Sequence, residues 1–217
     1  MTTEQDVFRL QSELDGLYKK LWCQECDVPY GVAMFSDRDL LKLVEKGRIR
    51  FDPMPNLTVG NRDSDLGTCK IDLHLGKEAL IADSTRVPYL DLSESIPEEY
   101  FTRIDIQKRG KLVVPPGSVI IATTLEKLTL ADDLFSRMEG KSGVARKGGA
   151  VQLAAVFDAG WDGYPAMELH NITNTPLIVH FGDAVCAMSF GHLSSKTLKA
   201  YAQRDGVAYA NQEMARV

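Results

Sequence analysis

A lysine, a hydroxyl, an arginine and a carboxylate occur together in one glycine-rich stretch of this chain, residues 139–171. The stretch begins E-G-K-S-G-V-A-R and ends F-D-A-G-W-D-G-Y-P-A-M-E-L-H-N. Glycines permit tight turns, so backbone amides can face an anion beside Lys141, Ser142 and Arg146. This chemistry suits a phosphorylated substrate. The alternative is a β-turn with solvated charges, since G-K-S also occurs by chance.

Two other features of the stretch have both an ordinary and a functional interpretation. Glu168 interrupts the strand pattern A-M-E-L. Glutamate is disfavoured in strands unless it lies on a solvent-exposed face or has a functional role. Asp158 and Trp161 are typical of a turn with an aromatic ring packed beneath it. They also suit a sugar-contacting carboxylate and the aromatic wall of a nucleotide pocket. The block is not a Walker A loop, because residue 135 is Phe where that loop needs glycine.

Composition excludes several classes of function. The chain has 217 residues, 44% of them hydrophobic, which is enough for one sizeable core. Its net charge of -5 disfavours general binding to nucleic acid or to an anionic membrane. The apolar runs are too short to span a bilayer and the acidic start is unlike a signal peptide, so we expect a soluble cytoplasmic protein.

The four cysteines, at positions 23, 26, 69 and 186, are too few and too scattered for a disulfide framework. Cys23 and Cys26 form a C-x-x-C motif. No second such motif or histidine pair accompanies it, and a closed zinc site needs four ligands. We therefore interpret them as ordinary helix-end cysteines.

Two helices are predicted near the start of the chain. Apolar residues at alternating spacings of three and four predict an amphipathic helix over residues 4–22. The apolar face of this helix either packs on the chain's own core or forms a short coiled coil with a partner subunit. A second helix begins after Ser36, a capping residue with Asp39 three positions later, and ends near Gly47.

From there to the end, short apolar or alternating runs separated by Gly, Pro and Asp predict strands. They cover residues 70–75, 117–123, 151–157, 166–170, 177–181 and 185–190. A turn is expected at Gly182-Asp183 and a mobile loop over residues 56–67. Two N-terminal helices on a mainly antiparallel β body are the expected architecture.

Several blocks resemble the dCTP deaminase family, within the trimeric dUTPase-like superfamily. They are S-D-R-D-L-L-K-L-V-E-K-G-R-I-R-F-D-P at 36–53, I-D-L-H-L-G at 71–76, P-P-G-S-V-I-I-A-T-T-L-E at 115–126, and the block at 139–146. The resemblance divides the chain into an N-terminal helical extension, residues 1–33, and a deaminase-like domain, residues 34–217, that includes a closing C-terminal tail.

The resemblance implies a mainly β (α+β) fold, the dUTPase-like β-clip or distorted antiparallel β-barrel. It implies a homotrimer with active sites between subunits, and hydrolysis of dCTP to dUTP and ammonia. Magnesium would bind through the substrate triphosphate. No catalytic zinc is implied, and the zinc deaminase pattern is absent from the sequence. A carboxylate must then transfer the protons.

Carried over by position, Glu168 matches the family's proton shuttle, and Ser142 and Arg146 match the residues that position the water and the glutamate. A nearby guanidinium would keep Glu168 ionised. The remaining implied contacts to the nucleotide are Lys141, Gly143, Val144, Ala145, Asp158, Trp161, Ala166, Met167, Tyr201, Arg204 and Gln212. The last three belong to a tail pattern, Y-x-x-R-x(4)-Y-x-N-Q, that closes over the triphosphate in the family.

The sequence departs from the family pattern at four positions. Lys141 replaces an arginine and Gly143 a serine, Leu153 stands at a common threonine, and Ala208 stands where some members have a lysine. Lysine keeps the charge but loses bidentate geometry.

Three functions follow as alternatives. Trp161 and Ala187 resemble members that only deaminate, which favours a monofunctional dCTP deaminase. The second is a dUTPase or a bifunctional deaminase-diphosphatase. The third is a nucleotide-sensing protein that binds without turnover.

Overall fold

The protein is described by a computed structural model covering residues 4–23, 28–29, 34–83, 85, 89, 91, 93–147, 156–207, 209 and 211–215. Side chains are described from residue 9 to residue 17 and from residue 34 onward within those ranges. Cys26, Leu153 and Ala208 lie outside the described residues.

Four α-helices and fourteen strands make up the described chain. The helices are α1 Glu4–Leu21, α2 Asp37–Glu45, α3 Ile106–Arg109 and α4 Ser142–Ala145, with 3-10 turns at Glu98–Tyr100 and Tyr201–Gln203. The strands are β1 Trp22–Cys23, β2 Val28–Pro29, β3 Ile49–Asp52, β4 Ile71–Ala82, β5 Phe101–Asp105, β6 Lys111–Val114, β7 Val119–Thr124, β8 Lys127–Leu130, β9 Leu134–Gly140, β10 Val156–Phe157, β11 Asp162–Gly163, β12 Ala166–His170, β13 Leu177–His180 and β14 Ala184–His192. The mainly β fold class is confirmed.

A seven-stranded antiparallel sheet organises the molecule. Its order is β10-β9-β14-β4-β7-β12, with β5 also paired to β4. A three-stranded sheet, β11-β8-β3, and two pairs, β13-β6 and β1-β2, complete the architecture. Strand β4 is long and belongs to both halves of the large sheet, and its register shifts between Leu75 and Ala79. Gly76 lies at that irregularity, where an added Cβ would meet the Thr124 carbonyl oxygen at 2.5 Å.

Period-two alternation builds the core. Opposed residues Ile104, Ala79, Ala122 and Met167 form one row across β5, β4, β7 and β12, and all four belong to the buried core cluster. The neighbouring row, which faces away from that cluster, carries Arg103, Leu80, Ile121 and Glu168.

Both predicted N-terminal helices are present. In α2, Ser36 and Asp39 form a reciprocal capping box, and Gly47 follows the helix with a φ of 67°. In α1, the side chains of Leu10, Leu14 and Leu17 are 50%, 48% and 56% exposed. These three leucines therefore do not dock on the chain's own core.

Most of the predicted strands are confirmed, and β12 has the predicted bounds. The turn at Gly182-Asp183 separates β13 from β14. Residues 151–155 of one predicted strand lie outside the described part of the chain. Residues 56–67 form a loop, as predicted. Hydrogen bonds from the Asn56 amide to Asp65 and from the Asp65 amide to the Asn56 carbonyl oxygen close it. Every helix in the described part of the chain is too short or too polar to span a bilayer.

Candidate active site

Strand β12 presents Glu168 on its outer face. Met167 and Leu169 on either side point into the core, with 0% and 3% exposure, whereas Ala166, Glu168 and His170 are half-buried on the opposite face. The glutamate therefore occupies a partly covered position on a strand whose backbone is anchored by its apolar neighbours. Such a position restricts water and still admits a ligand.

The edge position of β12 gives it a second capacity. Among the described strands it pairs only with β7, opposite residues 119–123. The backbone N–H and C=O groups on its other side are consequently not used in a strand ladder. Ala166 can offer these groups to a planar ligand. The backbone groups of Met167 instead face β7, since the alternate positions Pro165 and Asn171 hydrogen-bond to Thr124 and Ser118 on that side.

The phosphate block, residues 141–146, follows directly after β9. The structure forms a four-residue helix, α4, where the sequence predicts a glycine turn in a β segment. Gly143 has no positive φ, and an added Cβ there would meet no atom within 4 Å. Ser142, Gly143, Ala145 and Arg146 are exposed, and Val144 packs against the core. The helix begins at Ser142, so its first amides have no acceptor within the helix.

Lys141 is held by a carboxylate that sequence reasoning missed. Its Nζ forms a close ion pair with Asp72 on β4, and Asp72 also accepts from Lys70 at 2.8 Å. Both Lys141 and Asp72 are largely covered, with side-chain exposures of 24% and 16%. The ammonium is thus positioned at the start of the block by its own chain. Asp72 belongs to the motif I-D-L-H-L-G, so the resemblance to the family could have marked it as a candidate site residue.

A second group of charges, His74, Glu126 and Asp65, lies beside this pair. His74 Nδ1 lies 2.5 Å from Glu126 Oε1, its Nε2 lies 3.3 Å from Asp65 Oδ1, and its backbone amide donates to Glu126 Oε2 at 3.1 Å. The hydrogen bond to Glu126 is the main cause that raises the pKa of His74, opposed by burial. Glu126 is 2% exposed, so a protonated imidazole compensates a buried carboxylate.

The two predicted halves of the site belong to strands that are not neighbours in the sheet. The phosphate block follows β9, Glu168 lies on β12, and the strands β14, β4 and β7 lie between them in the sheet. Four strand spacings of about 4.8 Å would separate β9 from β12 by roughly 19 Å along a flat sheet. The strand order therefore separates Ser142 and Arg146 from Glu168 within the sheet of one chain.

The segment F-D-A-G-W-D-G supports the start of the C-terminal tail. Trp161 is 5% exposed, packs edge-on against Phe157 at 4.9 Å between ring centroids, and lies against Tyr201 at 5.3 Å. Asp158 is exposed. The segment thus packs as a turn above a buried aromatic ring, as the first of the two interpretations predicts. The predicted nucleotide contacts of Asp158 and Trp161 stay predictions.

Two glycines let the tail approach this segment closely. At Gly160, φ 79°, an added Cβ would lie 2.5 Å from the Ala200 Cβ. At Gly163, φ 151°, it would lie 2.8 Å from the Gln212 backbone nitrogen. Gly163 and Gln212 form a parallel bridge, and the Tyr164 amide donates to the Gln212 carbonyl oxygen at 2.8 Å.

Gln212 and Arg204 have different surroundings in the tail. Gln212 is 2% exposed, and within the described part of the chain its buried Nε2 has no hydrogen-bond acceptor. A buried donor without an acceptor costs about 1–3 kcal/mol, so Gln212 is suited to a ligand that supplies one. Arg204 is exposed and donates from Nε to the Lys199 carbonyl oxygen at 3.2 Å. Among the described residues, no group of three His, Cys, Asp or Glu side chains is arranged to hold a metal ion.

Comparison with known proteins identifies the family. The family model for dCTP deaminase-like domains matches residues 34–193. The chain belongs to the dCTP deaminase family. A dCTP deaminase from Thermomicrobium roseum is 35% identical over 83% of this chain and 90% of its own length. A dUMP-forming dCTP deaminase from Dictyoglomus thermophilum is 30% identical over 83% of this chain and 91% of its own length.

A solved structure supports the fold independently. The crystal structure of a 2'-deoxycytidine 5'-triphosphate deaminase from Agrobacterium tumefaciens matches with a TM-score of 0.55 at 18% identity. The match covers 73% of this chain and 47% of that one, so the chain spans about half the length of that protein. At this identity the likeness concerns the fold alone, and it confirms the fold expected of the family.

Proposed function

We propose that this protein is a hydrolytic dCTP deaminase that uses Glu168 as its proton shuttle and needs no catalytic metal. The observation that carries the proposal is the position of Glu168: a half-buried carboxylate on the outer face of an edge strand whose neighbours are fixed in the core. Membership of the dCTP deaminase family supports the choice of a cytosine nucleotide as substrate.

The proposed reaction converts dCTP and water to dUTP and ammonia. Glu168 accepts a proton from the water as its oxygen attacks C4, and donates that proton to the ring nitrogen N3. It then moves the remaining hydroxyl proton to the amino group. The C4–N4 bond breaks, ammonia leaves, and the C4 carbonyl forms. A positioned general acid–base group of this kind contributes typically 10²–10⁴-fold to a rate.

In this proposal Ser142 and Arg146 position the water and the glutamate, and Arg146 favours the ionised form of Glu168. Lys141 and the amides at the start of α4 bind phosphate oxygens, with Val144 and Ala145 shaping the block. The block contains cationic and hydroxyl donors and no carboxylate. Its residues therefore fit magnesium that is carried by the substrate triphosphate, where the metal neutralises phosphate charge.

A complete site in this proposal draws on two copies of the chain. The separation of β9 from β12 by three strands supports this, since it places the phosphate block and Glu168 at different ends of the sheet. We propose a homotrimer in which the block of one copy meets the Glu168 face of the next. Cyclic symmetry closes such a head-to-tail contact.

The remaining contacts belong to the Glu168 side. The outer backbone edge of β12 at Ala166 reads the base, and Met167 positions that edge from the core. Asp158 lies near the deoxyribose, and Trp161 with Tyr201 forms the wall of the pocket. Arg204 and Gln212 close over the triphosphate. The buried Nε2 of Gln212 supports its role, because a substrate oxygen would supply the missing acceptor.

The product defines the function more finely. We propose that dUTP is released intact, as Trp161 and Ala187 led us to expect. The dUMP-forming relative, 30% identical, favours the second candidate, in which the same protein also cleaves dUTP.

The decisive experiment incubates the purified protein with magnesium and, separately, dCTP, dCMP, dUTP and a modified cytosine nucleotide, and identifies every product. We expect ammonia and dUTP in equal amounts from dCTP. Pyrophosphate and dUMP would establish the bifunctional enzyme. Nucleotide binding without any ammonia release would refute catalysis and establish a sensing protein.

A further inference from the structure

The last described part of the C-terminal tail, residues 211–215, lies across the outer face of the large sheet. It pairs with Gly163 and Tyr164 through Gln212, and reaches β4 at Ala215. A cavity of about 300 Å³ lies between the tail and the sheet. Its lining includes Thr123 and Tyr164 from the sheet side and Glu213 and Met214 from the tail.

The far end of the tail is held by one ion pair. Glu78 Oε1 accepts from the Ala215 amide at 3.0 Å and from Arg103 Nη1 at 2.9 Å. The same Nη1 donates to the Ala215 carbonyl oxygen at 3.2 Å. Both backbone polar groups of Ala215 are thus bound by the pair, and Ala215 is 0% exposed. Hydrogen bonds from charged groups to backbone are stronger than neutral ones.

The register connects this pair to the proposed catalytic residue. Arg103 lies opposite Leu80, Leu80 opposite Ile121, and Ile121 opposite Glu168. The arginine and the glutamate therefore lie in the same row and on the same face, three strand spacings or about 14 Å apart. The tail lines a cavity with Glu78 and Thr123, so it runs beside the row that carries Glu168, two residues away along each strand.

We propose that Glu78 and Arg103 form a latch: they are positioning residues that hold the tail closed over the Glu168 face. The latch acts on the nucleotide only through the tail, which carries Gln212. Ordering a flexible segment in advance reduces the entropic cost of binding, so the latch should improve nucleotide affinity more than the rate of chemistry. The catalytic consequence rests on the proposed function; the holding of the tail does not.

The test compares Arg103→Ala, Glu78→Ala and the double variant with Glu98→Ala. Glu98 accepts from Arg103 Nη2 at 3.0 Å but makes no hydrogen bond to the tail, which makes it a matched control. Hydrogen exchange at the Ala215 amide, measured without nucleotide, should accelerate by about tenfold or more in the first three proteins and stay unchanged in Glu98→Ala.

With dCTP, the KM should rise about five- to thirtyfold in Arg103→Ala and Glu78→Ala, with kcat changed less than about twofold. The double variant should be no worse than the poorer single variant, because both residues serve one latch. Arg103→Lys should recover part of the loss, since it keeps a donor and a charge.

Unchanged exchange at Ala215 in Arg103→Ala would overturn the latch, as would an equal rise of KM in Glu98→Ala. If the wild-type protein releases no ammonia from dCTP, the proposed function fails and the exchange measurement alone decides the latch.

Discussion

The two ends of the large sheet are built in different ways. At the β9 end, the phosphate block lies open to solvent, and its lysine is bound by Asp72. At the β12 end, Glu168 is half-buried on a face that the chain's own tail crosses. The β9 end is exposed and carries the proposed phosphate-binding residues, whereas the β12 end is partly covered and carries Glu168.

Under the proposed function, this difference would let one chain carry a phosphate site and a proton-transfer site at separate ends of the sheet. Phosphate binding needs exposed, positively charged groups. Proton transfer by a carboxylate benefits from restricted water. Joining an open end to a covered end through a second copy would satisfy both needs at one interface.

The largest loss of turnover is expected at the covered end, when the Glu168 carboxylate is replaced by an amide. Glu168→Gln keeps the volume of the side chain and removes the proton shuttle, so kcat should fall by about 10²–10⁴-fold while nucleotide affinity changes little. Ammonia release and nucleotide titration measure the two quantities. Glu99→Gln, on the exposed 3-10 turn, is the control and should behave as wild type. Wild-type turnover in Glu168→Gln would remove Glu168 from the mechanism.

The division between ends should be visible in mixed assemblies. Arg146→Ala and Glu168→Gln each break one end, so each homotrimer should be inactive. Random trimers from equal amounts of the two chains contain one intact site in each mixed trimer, which restores about a quarter of wild-type activity. The measurement is ammonia release after the two chains are produced together. Activity no greater than that of the separate variants would place each site within a single chain.

Removing the lysine at the open end should weaken nucleotide binding more than it slows turnover. Lys141→Ala removes a charge-assisted phosphate contact worth about 1.5–3 kcal/mol, so the nucleotide Kd should rise about ten- to a hundredfold with kcat reduced less. Lys70→Ala removes the other cation on Asp72 and lies outside the block, which makes it the control. Equal losses in both variants would mean that Lys141 acts only by neutralising Asp72.

Above about pH 6.5, stability should depend on pH through His74 at the open end. Because the folded pKa of His74 is raised above its ordinary value of about 6.5, the stabilisation from its pairing with Glu126 is complete below that value. It is lost as the pH rises through the raised pKa. The free energy of unfolding of wild type relative to His74→Gln should therefore decrease above about pH 6.5. The charge of Asp65 also raises the pKa of His74, and the charge of Lys141 lowers it. A difference independent of pH would contradict the charged pair.

The sequence predicts local features well. Ser36 and Asp39 cap α2 as their spacing indicates, and Glu168 stands out because its strand alternates with period two. Strand β9 was missed because Ser136 is buried within it and breaks the apolar alternation. The four-residue helix at the phosphate block was missed because two nearby glycines are more typical of a turn.

Local sequence patterns could not predict contacts between residues that are distant in the chain. Asp72 and Lys141 are 69 positions apart, and Glu78 and Arg103 are 25 apart. Nothing in the composition of either neighbourhood pairs them. The strand order β9-β14-β4 brings the first pair together, and the register of β4 with β5 brings the second pair together. Pairing of strands is what the local patterns leave open.

The glycines of G-W-D-G have a consequence for tolerance to substitution. At positions 160 and 163 even the methyl group of alanine would collide with the returning tail, whereas the space around Gly143 is open. In a library of all single substitutions, selected for nucleotide turnover, positions 160 and 163 should accept almost nothing. Position 143 should accept serine, the residue that the family commonly carries there. The geometry of the tail would then be read directly from which variants survive.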